Sequence, residues 1–408
     1  MPQPETSEPF SENEEFIDPK ELIERMSIEE FNRYSDEYYK LQPRIADQLG
    51  KPFAMGHHAA QHLVRLGLVL ESMRLGKGMK VLDFGAGTCW ISKALWQMGC
   101  AVVATDVSAE ALRLGRQLFN DYPIPNDPPY GWETRLFDGR RIPMEDEEAD
   151  RVLCFDAFHH VPNPEAIIEE FYRVLRNGGS VVFNEPLGEH SSTPESQSEM
   201  RQFRVLENDL DMAELRERFM AVGFESPRFK VAAAPGFAMD YEEWQLCREG
   251  SPSRSTITSL SQFQRNSGVF IFQKGLALLD SRQLEGLSHE IECESKRLRL
   301  KVGKPTPISV TVKNAGEARW LHKNDGHVGV VHIATRLLDR DTRDLIADNS
   351  RFRMPKEMEP GDTFTGEVPI TVKRPGKFWL KLDLVSESVC WFESFGSKPI
   401  LIEADVEA

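Results

Sequence analysis

The chain is short of cysteine, short of positive charge and without a long apolar run. Each shortage excludes something. Its six cysteines (Cys89, Cys100, Cys154, Cys247, Cys293 and Cys390) are scattered, with no C-x-x-C pair and no tight cluster. A disulfide framework is therefore not expected, and thiols set in apolar runs fit reduced, buried side chains in a cytoplasmic protein. Acids outnumber bases to give a formal net charge of −16, which argues against nucleic acid as a partner. No apolar stretch reaches the roughly 18 residues that a bilayer span needs. The acidic, proline-containing start is unlike a secretory signal. The expectation is a soluble, cytoplasmic protein with no membrane span.

At 408 residues the chain is long enough for two or more domains, each with its own core. Residues 1–54 read as an N-terminal extension, disordered at first and then helical. Within it Asp18-Pro19 is an N-cap and first helical residue, and Ser27 with Glu30 is a capping box. A further helix is expected from about His57 to Met73. These helices precede the first strand and either lie over a crevice or cover a sheet edge. Residues 55–275 alternate strand and helix, with strands at Val81–Asp83, Ala101–Thr105, Glu133–Phe137, Arg151–Phe155 and Ser180–Asn184. Two last strands, 226–233 and 268–273, flank an insertion, and residues 185–208 read as a polar loop. Residues 276–292 are expected to form a linker with some helix. From 293 to 408 short alternating strands separated by turns, notably Asn314-Ala-Gly316 and Pro360-Gly-Asp362, predict an all-β sandwich. The fold class is thus α/β, a Rossmann-like doubly wound sheet with a helical N-terminal extension, plus a C-terminal all-β sandwich.

The stretch Val81-Leu82-Asp83-Phe84-Gly85-Ala86-Gly87-Thr88-Cys89-Trp90 reads as a buried strand, a glycine turn and a helix start. Such a turn lets a nucleotide approach the backbone closely. The dinucleotide fingerprint, however, wants a third glycine where Trp90 stands, and the bulk of Trp90 would crowd helix against strand. That disfavours a nicotinamide-dependent oxidoreductase. Asp83 precedes the turn, Asp106 follows the second strand and Asp138 the third, so carboxylates gather on one rim of the sheet. They suit a cationic, phosphate-free ligand with a ribose, such as a sulfonium nucleoside.

Residues of about 55–275 resemble the class I S-adenosylmethionine-dependent methyltransferases. The opening stretch resembles their first motif, Phe137-Asp138-Gly139 their adenine-binding turn, and Phe155-Asp156 through His159-His160-Val161-Pro162 their fourth motif. The stretch Arg173-Val-Leu-Arg-Asn-Gly-Gly179 resembles the approach to strand five. The resemblance implies S-adenosylmethionine as cofactor, with Asp83, Phe84, Gly85, Ala86 and Gly87 around its methionine part. It puts Asp106 with Val107 at the ribose, Phe137, Asp138 and Gly139 at the adenine, and Phe155 and Asp156 beside them.

Methyl transfer needs alignment, and a hydroxyl acceptor gains from a general base. His160, His159 and Glu185 are the candidates, with His190 a further one unless it is a solvated loop residue. His58 and His62, four apart on a helix, lack a third ligand, and no metal site is assigned. Tyr34, Tyr38, Trp244 and Phe263 either line an acceptor pocket or pack in a core. Residues 310–320, 358–362 and 384–392 resemble immunoglobulin-like sandwiches appended to bacterial glycan-building enzymes. The expected activity is O-methylation of a glycan or other small-molecule acceptor, with a possible homodimer through the sandwich. A glycan-binding or scaffolding protein with a vestigial nucleotide site is the alternative.

Overall fold

The computed structural model describes residues 16–41, 45–121, 130–230, 239–259, 267–277 and 279–408. The expected disorder of the first residues and Phe263 lie outside them. The chain divides into two compact units, residues 1–75 with 79–277 and residues 76–78 with 278–408.

In the first unit four helices come before any strand: α1 (Pro19–Arg25), α2 (Ile28–Leu41), α3 (Ile45–Leu49) and α4 (Gly56–Met73). The side chain of Asp18 caps α1 by accepting from Lys20 N. Ser27 and Glu30 exchange the two bonds of a capping box at the start of α2. Then β1 (Lys80–Phe84), α5 (Trp90–Gln97), β2 (Ala101–Asp106), α6 (Ala109–Asp121), β3 (Trp132–Leu136), β4 (Ala149–Phe155), α7 (Pro164–Val174) and β5 (Leu175–Pro186) follow. The unit closes with α8 (Pro194–Phe203), α9 (Met212–Val222), β6 (Arg228–Lys230), α10 (Tyr241–Arg248) and β7 (Ser267–Gln273).

The seven strands form one sheet in the order β3-β2-β1-β4-β5-β7-β6. The first five are parallel, and β7 runs antiparallel to both β5 and β6. Parallel strands covered on both faces are apolar throughout, and β4 is buried along its whole length. One face packs Phe84, Phe158, Phe171, Phe183 and Phe270. The other packs Val81, Leu95, Val102, Leu153 and Val182 under α4 and α5. Strand order reverses between β1 and β4, so a crevice opens beyond the carboxyl ends of β1, β2 and β4.

Two expectations fail here. The segment 185–208 is not simply a polar loop, because α8 lies within it, capped by Thr193 with Pro194 at its first position. Residues 276–292 are not a linker, because Asp280, Ser281, Arg282, Gln283 and Leu287 are buried in the second unit. Arg282 pairs there with Asp280 at 2.8 Å, and among the described residues of the segment no helix forms.

The second unit begins its strands with β8 (His289–Cys293), inside the expected linker, and β9 (Arg297–Lys301). It continues with β10 (Thr306–Asn314), β11 (Val331–Asp339), β12 (Leu345–Arg353), β13 (Thr363–Ile370), β14 (Gly376–Ser386), β15 (Cys390–Trp391) and β16 (Ile400–Glu407). They form a three-stranded sheet, β13-β10-β8, and a larger one, β12-β11-β14-β16-β9, with β15 beside β14. Ile308, Val310 and Val312 of the small sheet share one apolar core with Leu380, Leu382 and Leu384 of the large one, around a fully buried Trp320. Among the described residues no helix is long and apolar enough to cross a membrane.

Candidate active site

A cavity of about 660 Å³ lies beyond the strand ends and runs under α2. A smaller one of about 80 Å³ sits against the glycine turn and shares Tyr39, Gln48, Lys51, Gly85 and Asp156 with it. The turn is built from backbone that side chains resist. Gly85 and Gly87 have φ of +67° and +52°. A Cβ on the first would lie 2.4 Å from the Ala157 Cβ, and one on the second 2.7 Å from the Tyr39 hydroxyl oxygen. Trp90 does not crowd the strand, because its ring turns toward His62 of α4 and Phe155, at centroid distances of 5.9 and 5.8 Å.

Asp106 ends β2, and its two oxygens accept from the backbone N–H groups of Gly87 and Ser108, each at 2.8 Å. Burial pushes its carboxyl above the usual range, against those two bonds. Asp83 takes a hydrogen bond from Ser92, and burial raises it to about 7. Phe84, Asp106, Val107, Phe137 and Gly139 line the larger cavity, and Asp83, Ala86, Gly87 and Phe155 the smaller. Asp138 alone of the expected cofactor residues lines neither. Its side chain is exposed at the rim, and Oδ1 accepts from Arg140 N and Arg141 N at 2.8 and 2.9 Å.

Helix α2 is a lid rather than an edge cover. Ile28, Phe31, Asn32, Ser35, Tyr38 and Tyr39 face the cavity. Asn32 Nδ2 donates to the Asp138 carbonyl at 2.8 Å. Asp36 accepts from Ser108 Oγ and Glu110 N at 2.9 and 2.8 Å, fixing the lid to the start of α6. Burial raises the Tyr39 hydroxyl well above its ordinary range.

At the far wall the histidine pair meets two glutamates. Glu185 is fully buried and accepts from Ala157 N and Phe158 N, both at 3.0 Å, and from His159 Nδ1 at 2.7 Å. Burial alone would raise Glu185, but the His159 ring and the two N–H groups hold it below the ordinary carboxylate range. His160 Nδ1 lies 2.5 Å from the Leu206 carbonyl, which can only accept, so Nδ1 carries the hydrogen there. His190 is not a solvated loop residue: its Nε2 lies 2.8 Å from Glu207 Oε2. Burial beside Glu207 raises Glu199, on the same wall, to about 7.

Sequence reasoning missed Glu207, Glu199, Lys51 and Arg65. Glu207 and Glu199 belong to the segment taken for a loop. Its helix was signalled by Thr193-Pro194, an N-cap followed by proline. Lys51 sits between α3 and α4 and lines both cavities, its ammonium pushed down by burial. Arg65 of α4 pairs with Asp156 and lies over the Phe155 ring. Of the four expected pocket aromatics, Tyr38 lines the cavity. Tyr34 packs instead against Arg204, and Trp244 is 44% exposed on α10. The ring centroids of His58 and His62 lie 6.2 Å apart, edge to face.

A crevice at the sheet's switch point, walled by a glycine turn and a strand-end aspartate, is the setting in which the comparisons fall. Residues 82–183 match the methyltransferase domain family. The chain is 30% identical over 121 residues to a ubiquinone biosynthesis O-methyltransferase of Klebsiella pneumoniae, covering 30% of this chain and 48% of that protein. It is 34% identical over 106 residues to a phosphatidylethanolamine N-methyltransferase of Cereibacter sphaeroides, 26% of this chain and 50% of that one. The chain spans about half the length of these curated relatives. A solved S-adenosylmethionine-dependent methyltransferase from Aquifex aeolicus aligns over 57% of this chain and 98% of its own, at 18% identity and a TM-score of 0.38.

Proposed function

We propose that the first unit transfers a methyl group from S-adenosylmethionine to a hydroxyl of a small-molecule acceptor. The observation that carries the reading is Asp106. It is buried at the end of β2 and anchored to the Gly87 turn, and each of its oxygens keeps a lone pair for a ribose diol. Lys51 offers a cation to the carboxylate of the amino-acid tail, and Asp83 a carboxyl beside the turn. Val107, Phe137 and Ile28 give apolar walls for an adenine. These groups fit the cofactor without a basic phosphate clamp.

Bound there, S-adenosylmethionine supplies an electrophilic methyl group and a neutral thioether leaving group. The protein's part is alignment, exclusion of water under α2, and removal of the acceptor proton. His160 takes that role. The Leu206 carbonyl holds its hydrogen on Nδ1, which leaves Nε2 as the basic nitrogen. His159, fixed by Glu185, is a positioning residue behind it.

A quinone-biosynthesis O-methyltransferase among the relatives favours a small ring hydroxyl. The glycan acceptor rests on the resemblance of the second unit to modules of glycan-building enzymes and stands second. A labelled-methyl screen of extract fractions tests the reading. Transfer by the wild type that is lost in His160→Ala, with cofactor affinity kept, is the expected result; equal loss of both would place His160 in the binding wall.

A further inference from the structure

The carboxylate of Glu207 is nearly buried between three imidazole rings, and that arrangement is not explained by a proton acceptor alone. His159 Nδ1 is committed to Glu185 at 2.7 Å, so the hydrogen of the neutral ring sits on that side. Its Nε2 then presents a lone pair to Glu207 Oε2 at 3.6 Å. Two acceptors facing each other in a buried wall repel unless a cation stands between them. His160 Nδ1 lies 3.5 Å from the other oxygen, Glu207 Oε1. One donor atom from each of His159, His160 and Glu207 falls within 4.8 Å of the others.

We propose that His159, His160 and Glu207 form a site for a divalent transition-metal ion in the wall of the larger cavity. The separations support it. Bonds of about 2.0–2.2 Å to imidazole nitrogen and carboxylate oxygen, arranged tetrahedrally, place neighbouring ligand atoms roughly 3.3–3.6 Å apart. The pairs His159 Nε2–Glu207 Oε2 and His160 Nδ1–Glu207 Oε1, at 3.6 and 3.5 Å, match that spacing. The surroundings match as well. Ligating histidines donate their other N–H to a carboxylate, as His159 does to Glu185, and ligating carboxylates are themselves hydrogen-bonded. Glu207 Oε2 has the His190 ring at 2.8 Å and the Ser196 hydroxyl at 3.4 Å. Ligation through His160 Nδ1 would exchange its hydrogen bond to Leu206 for a metal bond and move its hydrogen to Nε2, so the metal-loaded ring no longer offers Nε2 as a base. Two nitrogens and one carboxylate select zinc or a neighbouring transition ion over magnesium, and leave coordination positions for an outside oxygen donor.

The site does not rest on the methyltransferase reading, because metal binding is measured without turnover. Tag-free, full-length protein is dialysed against chelator and titrated calorimetrically with Zn²⁺, with Co²⁺ absorption as a second readout and Mg²⁺ as a control. The expected result is one equivalent of Zn²⁺, Co²⁺ bands of low coordination number, and no Mg²⁺ uptake. Glu207→Gln and His159→Ala should each weaken Zn²⁺ at least tenfold, and Glu185→Gln, which removes the charge behind His159, by roughly 10–100-fold. Far-UV circular dichroism and thermal unfolding report whether each variant is folded. Absence of saturable Zn²⁺ binding to folded wild type, or binding unchanged in Glu207→Gln and His159→Ala, overturns the site. Zinc binding in a chain that fails to bind S-adenosylmethionine would instead uphold the site and defeat the methyltransferase reading.

Discussion

The Oδ2 of Asp106 accepts the backbone N–H of Gly87 at 2.8 Å, so the aspartate that ends the second strand also holds the turn that follows the first. The two parts of the proposed cofactor site are therefore one hydrogen-bonded unit. Asp106→Asn puts an amide NH₂ against one of the two N–H groups now satisfied by Gly87 and Ser108. A buried donor left facing a donor costs about 1–3 kcal/mol. Thermal unfolding should register that loss, together with weaker S-adenosylmethionine binding. A variant as stable and as tight as the wild type would contradict the anchoring role.

Gly87→Ala meets two obstacles at once, a φ of +52° and the Tyr39 hydroxyl at 2.7 Å from the new Cβ. The left-handed backbone alone costs roughly 1–2 kcal/mol. We expect lower stability and an α2 lid that exchanges amide hydrogens faster, read by mass spectrometry. Unchanged protection over residues 28–41 would show that Tyr39 does not seat the lid on the turn.

Asp83 gives the fold a pH signature. Burial raises its carboxyl to about 7 in the folded chain, against an ordinary value near 4 when unfolded. The folded state keeps a proton that the unfolded chain has lost, so this contribution is complete below pH about 4 and falls away as pH rises to about 7. Denaturant unfolding across that window should show declining stability, and Asp83→Asn should flatten the slope. An equal slope in both proteins would assign it elsewhere.

In the second unit Asn314 is fully buried and closes the turn before Trp320. Its Nδ2 donates to the carbonyls of Ala318 and Met358 at 2.9 and 3.0 Å, and its Oδ1 accepts from Gly316 N at 3.1 Å. Asn314→Ala strips these partners and should cost about 2–4 kcal/mol, each stranded buried group accounting for roughly 1–3. A change below about 0.5 kcal/mol by chemical denaturation would mean that the turn holds without it.

What was legible in the chain was whatever a short window could carry. Val81, Leu82 and Phe84 are apolar because they lie on a central strand, and Ser27 with Glu30 announces a helix start wherever it occurs. The helix α8 was harder to see, since its polar sequence buries Met200 as its one large apolar side chain and so has no stripe. Strand β12 is an edge, half-exposed on both faces and broken in register, which erases the alternation by which strands are found. Lys51, Tyr39 and Glu207 carry no local mark at all. They reach the cavity because α2 and the segments that follow α3 and α8 fold back over strand ends distant in sequence, and a contact of that kind is a property of the packing.

The central claim is that the glycine turn and Asp106 hold S-adenosylmethionine, and equilibrium calorimetry of that cofactor with wild-type protein and Asp106→Ala tests it most directly. The account predicts saturable one-to-one binding to the wild type and at least a tenfold loss in the variant, with circular dichroism unchanged. No binding to folded wild type, or equal affinity in the two proteins, would contradict it.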